Sequence, residues 1–186
     1  MKLFIALLHH PVYNKDGEVI TTSITGTDLH DIARSALTFG VERYYVVNPV
    51  PSQRKFAQRI ADCWKRGESF AFNPTRAEAF SILKLASSLD EVKEDIKIAC
   101  GKAPRVIATS ARSQGGVSYP ELGREIARAD DPHLILFGTG WGLAKETMLS
   151  ADLVLEPIVG KTDYRHLSVR SAVAIILDRL FNDGRR

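Results

Sequence analysis

Three glycines alternate with other residues directly after a short apolar run. Leu134–Phe137 is unbroken in its apolar character, as a strand buried on both faces requires, and Gly138, Gly140 and Gly142 follow it. Glycine at every second position allows tight turns and lets a ligand lie against bare backbone amides. The pattern therefore predicts a small-molecule pocket after this strand.

Two further strand ends are expected beside the glycine loop. A short predicted strand, Leu153–Leu155, stops at Glu156-Pro157 because proline lacks the donor that a central strand needs. Another strand end, at Thr109, leads into the Ser/Gly-rich segment Ser110–Tyr119, which fits a functional loop and a merely mobile connection equally well. Because the carboxyl ends of parallel strands meet at one sheet edge, the glycine loop and the Glu156-Pro157 turn should lie at one pocket.

The glycine loop does not identify its ligand. A dinucleotide fingerprint of the Gly-x-Gly-x-x-Gly type fails because its third glycine falls on Leu143, and a Gly-Lys-Ser/Thr phosphate loop is absent. The loop by itself is also compatible with a tight strand-to-helix turn in an ordinary α/β domain.

Composition indicates one globular domain over residues 1–186. The chain is 45% hydrophobic and 25% charged, and its net charge of +3 permits an anionic partner without requiring one. Cys63 and Cys100 form no Cys-x-x-Cys pair, so we expect neither a disulfide framework nor a metal site, and the cytoplasm is the default location. We expect no membrane association because no apolar run approaches spanning length.

Strands and helices alternate along the chain with short connections, which indicates an α/β fold with a mostly parallel sheet and helices on both faces. In addition to the two runs above, the predicted extended segments are Lys2–Leu8, Glu18–Ser23, Arg43–Val47, Ser69–Phe72 and Arg105–Thr109. The predicted helices are one capped by Thr27 or Asp28 and closed by Gly40, then Ser52–Arg66, Asn73 to about Ser87, Asp90–Cys100, Glu121–Ala129, Leu143–Leu149 and about Leu167–Phe181.

The helix predicted over Ser52–Arg66 is basic and amphipathic. Phe56, Ile60 and Trp64 recur at helical spacing and are expected to form its apolar face. Its basic residues fit a solvated surface helix, or a face presented to nucleic-acid phosphates.

Three segments resemble the SpoU-type motifs of the SPOUT superfamily, the trefoil-knot methyltransferases. Residues 28–41 resemble the first motif: Asp28 stands where the motif opens with Asn, Arg34 follows six positions later, and Phe39-Gly40-Val41 closes the segment. Residues 134–143 resemble the second motif through Gly138-Thr139-Gly140, without the motif's glutamate.

The third motif is resembled by residues 155–172. It reads Glu156-Pro157-Ile158, then Gly160, then the run from His166 to Ala172. The order and spacing of the three motifs agree over most of the chain. Within the superfamily, the sequence is most similar to a branch of SAM-dependent RNA methyltransferases found alone or fused to a TrmD-type tRNA guanine-N1 methyltransferase.

This resemblance implies a SPOUT methyltransferase fold with a deep C-terminal trefoil knot, a homodimer with the pocket near its interface, S-adenosylmethionine (SAM) as cofactor, and tRNA or rRNA as substrate. The implied cofactor-binding residues are Thr109, Ser110, Ala111, Phe137, Gly138, Thr139, Gly140, Trp141, Gly142, Leu155, Glu156, Pro157, Ile158, Gly160, Tyr164, His166, Leu167 and Ser168.

Three residues are the catalytic candidates. Arg34 matches the motif arginine that orients or activates an RNA acceptor, although a salt bridge to Asp31 would explain it as well. Asp163 could serve as general base for a guanine ring nitrogen, or be a surface residue. His166 could contact the substrate or cap the last helix. Ser168 replaces the motif's asparagine, which puts ribose 2′-O-methylation in doubt and leaves base methylation open.

Basic side chains elsewhere are loose candidates for contacts with the RNA backbone. They are Lys65, Arg66, Arg112, Arg170 and Arg179.

Two other functions remain open from the sequence. One is a SAM-binding regulatory or RNA-binding module that transfers no methyl group, because the motif glutamate and asparagine are missing. The other is a nucleotide-binding α/β protein with a conventional unknotted sheet.

Overall fold

Eight strands and seven helices form in the part of the chain that the computed structural model describes, residues 1–65, 72–113 and 115–182. The strands are β1 (Leu3–Leu8), β2 (Val12–Tyr13), β3 (Val19–Ile20), β4 (Arg43–Val47), β5 (Leu83–Ala86), β6 (Arg105–Ala108), β7 (His133–Gly138) and β8 (Leu153–Val154). The helices are α1 (Gly26–Thr38), α2 (Pro51–Lys65), α3 (Pro74–Ser81), α4 (Leu89–Cys100), α5 (Tyr119–Arg128), α6 (Lys145–Leu149) and α7 (Val169–Phe181).

Six of the strands form one sheet in the order β5-β4-β1-β7-β6-β8, and every neighbouring pair is parallel. The register aligns Leu8 of β1 with Gly138 of β7, and Ala108 of β6 with both Leu136 and Val154. The carboxyl ends of β1, β7, β6 and β8 therefore lie side by side. The predicted α/β class with a mostly parallel sheet is confirmed.

Side chains of β1 enter two separate cores because successive residues of a strand point to opposite faces. Leu3, Ile5 and Leu7 pack with helices α1, α2, α5 and α7. Phe4, Ala6 and Leu8 pack with α4 and with residues around α6. Helices thus cover both faces of the sheet, and this explains why the first strand is apolar throughout.

Helix α7 packs on α5 with almost no side chain between them. A Cβ at Gly123 of α5 would lie 2.1 Å from the carbonyl oxygen of Leu180 in α7. Only glycine permits this approach. The contact fixes α7 on the same face of the sheet as α1 and α5.

The helix predicted from Asn73 to about Ser87 is wrong in its second half. Asn73 does cap α3, but the helix ends at Ser81 and residues 83–86 form the edge strand β5. Pairing with β4, in which Tyr44 lies opposite Leu83, decides the outcome. The alternation of Leu83 and Leu85 has the period of a strand, and tertiary pairing overrides a local helix preference.

Smaller corrections concern helix ends and one helix face. Helix α1 is capped by Thr25, whose hydroxyl accepts the backbone N–H of Asp28, rather than by Thr27 or Asp28. Helix α2 buries Ala57 and Ala61, whereas Phe56, predicted for its apolar face, is exposed.

Two sequence expectations fall partly outside the described residues. Residues 69–71 of the predicted extended segment lie there, and Phe72 is an exposed residue in a helical turn. Arg66, predicted as the end of the basic helix, also lies outside them.

Candidate active site

A cavity of about 730 Å³ opens at the carboxyl ends of β1, β7, β6 and β8. Its volume lies within the range of small-molecule and cofactor pockets. One wall comes from the segments that follow β1 and β3 and from the start of α1. The other wall comes from the segments that follow β6, β7 and β8 and from the start of α7. Strand ends therefore bring together residues from six separate parts of the chain.

The glycine loop is held in place by β2. The backbone N–H of Trp141 donates to the carbonyl of Tyr13 at 2.8 Å, and the N–H of Tyr13 donates to the carbonyl of Gly142 at 2.9 Å. Gly140 has a φ of +57°, and a Cβ there would lie 2.7 Å from the Tyr13 carbonyl oxygen. Any other residue at position 140 would separate the loop from β2.

A hydrogen-bonded chain of three side chains lies beneath the loop. Thr139 Oγ1 donates to the Leu8 carbonyl at 3.1 Å, Thr22 Oγ1 lies 2.5 Å from Thr139 Oγ1, and His9 Nδ1 lies 2.9 Å from Thr22 Oγ1. His9 is buried, and burial lowers its pKa to about 4, with Asp28 opposing the shift. The imidazole is therefore neutral at physiological pH.

On the opposite wall, Glu156 is held by hydrogen bonds. Its carboxylate accepts the backbone N–H of Tyr119 at 3.0 Å, and its carbonyl accepts the Tyr119 hydroxyl at 3.0 Å. The backbone of Glu156 also bonds to Val117 in the loop before α5. These bonds hold residues 156–158 as a fixed wall.

Aromatic and cationic side chains form the mouth of the cavity. The ring of His166 lies edge-on to Trp141 at 5.8 Å and to Tyr164 at 5.7 Å, and the Arg112 guanidinium lies 5.4 Å from the Trp141 ring centre. Trp141 and Tyr164 are exposed. Such a surface suits planar, anionic ligands such as nucleotides.

Asp28 joins helix α1 to α7 at the cavity wall. Its Oδ1 accepts a hydrogen bond from Arg170 Nη1 at 2.9 Å, and its Oδ2 accepts the Thr25 hydroxyl at 2.6 Å. Arg34, by contrast, is about half exposed, binds Asp31 and does not line the cavity. The salt bridge that offered the alternative explanation of Arg34 is therefore present.

The cavity gathers most of the residues predicted for the cofactor. All but Leu155, Gly160 and Tyr164 line it. Leu155 is buried in the core and Gly160 is exposed. The ring of Tyr164 contacts the ring of His166, which lines the cavity. Of the catalytic candidates, His166 lines the cavity, whereas Arg34 and Asp163 do not. Ser168, not His166, caps α7. The functional roles of all these residues stay predictions.

Sequence reasoning missed one wall of the cavity. The lining residues that were not assigned to the pocket are His9, Thr22, Ser23, Thr25, Asp28, Arg112, Arg165, Val169, Ala172 and Ile176. His9 follows a predicted buried strand directly, so the rule that ligands bind at the carboxyl ends of parallel strands could have identified it.

Neither a metal centre nor a membrane span is indicated within residues 1–65, 72–113 and 115–182. No group of three or more His, Cys, Asp or Glu residues there could hold a metal ion. No helix in the same residues is long and apolar enough to cross a membrane.

The fold and the cavity define an α/β protein with a cavity of cofactor size at the carboxyl edge of a parallel sheet. Sequence comparison makes the class specific. Residues 2–182 match the family described as SAM-dependent RNA methyltransferase. The match extends over nearly the whole chain, and the protein belongs to this family.

Individual relatives agree with the family. A protein of Aquifex aeolicus described only as uncharacterized is 48% identical over 184 residues, which cover 98% of this chain and 90% of the relative. A tRNA (guanine-N(1)-)-methyltransferase of Oleidesulfovibrio alaskensis is 39% identical over 182 residues, which cover 98% of this chain and 42% of that protein. The chain thus spans less than half the length of the second relative.

Solved structures show the same fold. The SpoU methyltransferase AviRb from Streptomyces viridochromogenes aligns with a TM-score of 0.58 and 15% identity, covering 96% of this chain and 58% of that one. The predicted resemblance to the SPOUT methyltransferases is confirmed at the level of fold and family.

The cavity suits the cofactor that the family description implies. Apolar side chains such as Ile158, Leu167 and Ile176 line it together with polar groups such as Glu156 and the backbone of the glycine loop. SAM combines aliphatic groups around a cationic sulfonium with a polar nucleoside and amino acid, so a mixed lining of this volume fits it.

Proposed function

We propose that this protein transfers a methyl group from SAM to a nucleotide of tRNA or rRNA at the cavity described above. The observation that carries the proposal is the meeting of the three motif-bearing segments, at the start of α1, after β7 and after β8, around one cavity of about 730 Å³. Membership of the SAM-dependent RNA methyltransferase family supplies the chemistry.

The cavity divides into two halves along the sheet edge. The segments proposed to hold SAM follow β7, β6 and β8. On the other side, His9 follows β1, Thr22 lies in the loop after β3, and Asp28 lies in α1. Neighbouring strands are about 4.8 Å apart, so β1 lies roughly 14 Å from β8. We assign the β1 side to the nucleotide that accepts the methyl group.

SAM, when bound, supplies an already activated methyl group, so the protein must position the reactants and exclude water. Backbone amides of Gly138–Gly142 and the fixed wall at Glu156 would hold the nucleoside and amino-acid parts. Ile158 and Leu167 would shield the sulfonium from solvent. The Asp28–Arg170 pair holds the two helix N-termini that form the walls, and so keeps the two halves in register.

The homodimer remains part of the proposal. Val159, Tyr164 and Leu167 are large apolar residues that are 58%, 73% and 45% exposed near the cavity mouth. A cluster of this kind commonly marks a surface that another molecule covers. If Arg34 acts on the acceptor, it must do so from outside the cavity of its own chain, which a homodimer would permit.

The RNA substrate is proposed from the relatives. The tRNA (guanine-N(1)-)-methyltransferase relatives make tRNA the first substrate to test, although this chain spans only 42% of them. A cytoplasmic location follows from such a substrate. The single domain over residues 1–186, the trefoil knot and the roles of Arg34, Asp163 and His166 remain proposals as well.

The first experiment is a titration of the purified protein with SAM by calorimetry, with S-adenosylhomocysteine (SAH), NAD and ATP run in parallel. We expect selective binding of SAM and SAH. Gly140→Ala should abolish SAM binding, because the added Cβ would push the glycine loop away from the Tyr13 carbonyl. Gly101→Ala, at a remote helix end, should leave SAM binding unchanged. Equal binding of ATP or NAD would argue for a general nucleotide-binding protein instead.

A second measurement tests methyl transfer itself. Labelled SAM should donate its methyl group to unmodified tRNA or rRNA, and Arg34→Ala should lower the rate while leaving SAM affinity unchanged. A SAM-binding module without transfer is the second candidate, favoured by the position of Arg34 and Asp163 outside the cavity. Tight SAM binding with no label in any RNA would select this candidate.

A further inference from the structure

The imidazole of His9 combines burial with an unused hydrogen-bonding atom. The side chain lines the cavity at the end of β1 and is 1% exposed. Its Nε2 has no hydrogen-bond partner among the residues that the structure describes. Buried polar atoms are paired in most proteins, so an unpaired one in a cavity wall points to a partner on the ligand.

The hydrogen-bonded chain beneath the glycine loop fixes which hydrogen-bonding role Nε2 has. The Leu8 carbonyl can only accept, so Thr139 uses its single hydroxyl proton there. The Thr22 hydroxyl must then donate to Thr139, and its remaining lone pairs can only accept from His9 Nδ1. His9 therefore carries its proton on Nδ1.

The neutral imidazole with a proton on Nδ1 has a bare lone pair on Nε2. Burial, which lowers the pKa of His9 to about 4, keeps the ring in this form at neutral pH. The wall of the cavity thus offers a hydrogen-bond acceptor of fixed direction. Its complement is an N–H or O–H group of whatever occupies the β1 side.

We propose that His9 Nε2 accepts a hydrogen bond from the nucleotide that receives the methyl group, and thereby selects acceptors with an N–H or O–H donor at that point. The inference rests on the proposed function. Its support is the order of the sheet: β7 lies between β1 and β6, and β6 lies between β7 and β8, so His9 is at the end of the cavity farthest from the Glu156 wall.

Three kinds of group on a ribonucleotide have this chemistry. They are a ring N–H, as in guanine and uracil, an exocyclic amino group, as in adenine, cytosine and guanine, and the ribose 2′-hydroxyl. Each can present one proton to the single lone pair. The 2′-deoxy forms identify the 2′-hydroxyl, and UMP, which has a ring N–H but no amino group, separates the two base donors.

The test uses the full chain with ¹⁵N-labelled histidine, both free and saturated with SAH. The probes are GMP, UMP, AMP and CMP, with 2′-deoxy forms of those that bind. We expect Nδ1 to be protonated and Nε2 unprotonated in the free protein. A binding nucleotide should shift the Nε2 resonance, and the shift should survive in the 2′-deoxy form if a ring N–H is the donor.

Substitutions give an independent readout. His9→Phe keeps a buried planar ring but removes the acceptor, and should weaken nucleotide binding about tenfold while leaving SAH affinity within about twofold. His9→Gln, whose amide oxygen can accept, should restore most of the affinity. His10→Phe is the matched control, because His10 bonds to Thr21 and Ile20 and does not line the cavity.

Several results would overturn the proposal. They are a proton on Nε2 in the free protein, no response of Nε2 to any nucleotide, or a loss of SAH affinity in His9→Phe, which would assign the residue to the cofactor. Failure of SAH to bind would reject the proposed function instead. In that case the nucleotide titration of the free protein would still decide the role of His9.

Discussion

Asp28 carries the most informative stability prediction because three features meet at its carboxylate. It is a member of the capping interaction of α1, where the Thr25 hydroxyl both accepts its N–H and donates to Oδ2. It forms the ion pair with Arg170 on α7. It also lines the cavity. The change to test is Asp28→Ala, with Asp28→Asn as the variant that keeps the shape.

The magnitude follows from the contacts. A hydrogen bond to a charged group contributes about 1.5–3 kcal/mol, and the lower end applies because the Arg170 side chain is 36% exposed. Loss of a negative charge in the first helical turn costs about 0.5 kcal/mol more. We expect Asp28→Ala to lower the free energy of unfolding by about 2 kcal/mol, and the melting temperature by roughly 4–8 °C in a chain of this size.

Thermal and urea unfolding measure this change. Asp28→Asn can keep the bonds to Thr25 and Arg170 while losing the charge, so we expect about half the effect. Glu94→Ala is the control, since its pair with Lys97 lies within one helix, is exposed and should contribute less than about 1 kcal/mol. The pair itself is measured by the double-mutant cycle of Asp28→Ala with Arg170→Ala.

Two results would refute the reasoning. An Asp28→Ala variant no less stable than Glu94→Ala would show that the ion pair does not hold α1 to α7. Additive effects of Asp28→Ala and Arg170→Ala would show that the two side chains do not interact in solution.

Three other parts of the structure give further predictions. Gly123→Ala should lower the free energy of unfolding by more than about 2 kcal/mol because the added Cβ meets the backbone of α7, although alanine is the better helix former. Urea unfolding measures this change, and a neutral effect would contradict the close packing of α5 and α7. Protonation of His9 at low pH should lower the free energy of unfolding by up to about 3 kcal/mol, since the pKa of His9 is about 4 in the folded protein and 6.5 in the unfolded chain. This contribution is fully present above pH 6.5 and is lost as the pH falls towards 4. In His9→Phe, the free energy of unfolding should change less over that pH range. SAH should change the fluorescence of Trp141 at the cavity mouth. Trp141→Phe should therefore abolish the fluorescence change on SAH binding, and Trp64→Phe should retain it. A change that is lost in Trp64→Phe and retained in Trp141→Phe would place the ligand outside this cavity.

Much of the candidate site could be predicted from local sequence. The glycine loop and the Glu156-Pro157 turn were located because strand ends with glycine or proline have strong backbone constraints. The other wall could not be predicted in this way. Thr22 and Asp28 reach the cavity only because β1 lies next to β7 in the sheet, a pairing between residues more than 100 positions apart.

The sequence alone determined the α/β class, the family and the loop that lines the cavity, because these depend on periodicity, on glycine and proline, and on motifs contained in short segments. Tertiary structure decided the rest. It turned residues 83–86 into an edge strand by pairing them with β4, and it placed Asp28 rather than Arg34 in the cavity wall. It also brought His9, Thr22, Thr139 and Leu8 into one hydrogen-bonded chain, from which the proposed proton position on His9 follows. Contacts between distant segments follow from the packing of the whole sheet, which no local pattern encodes.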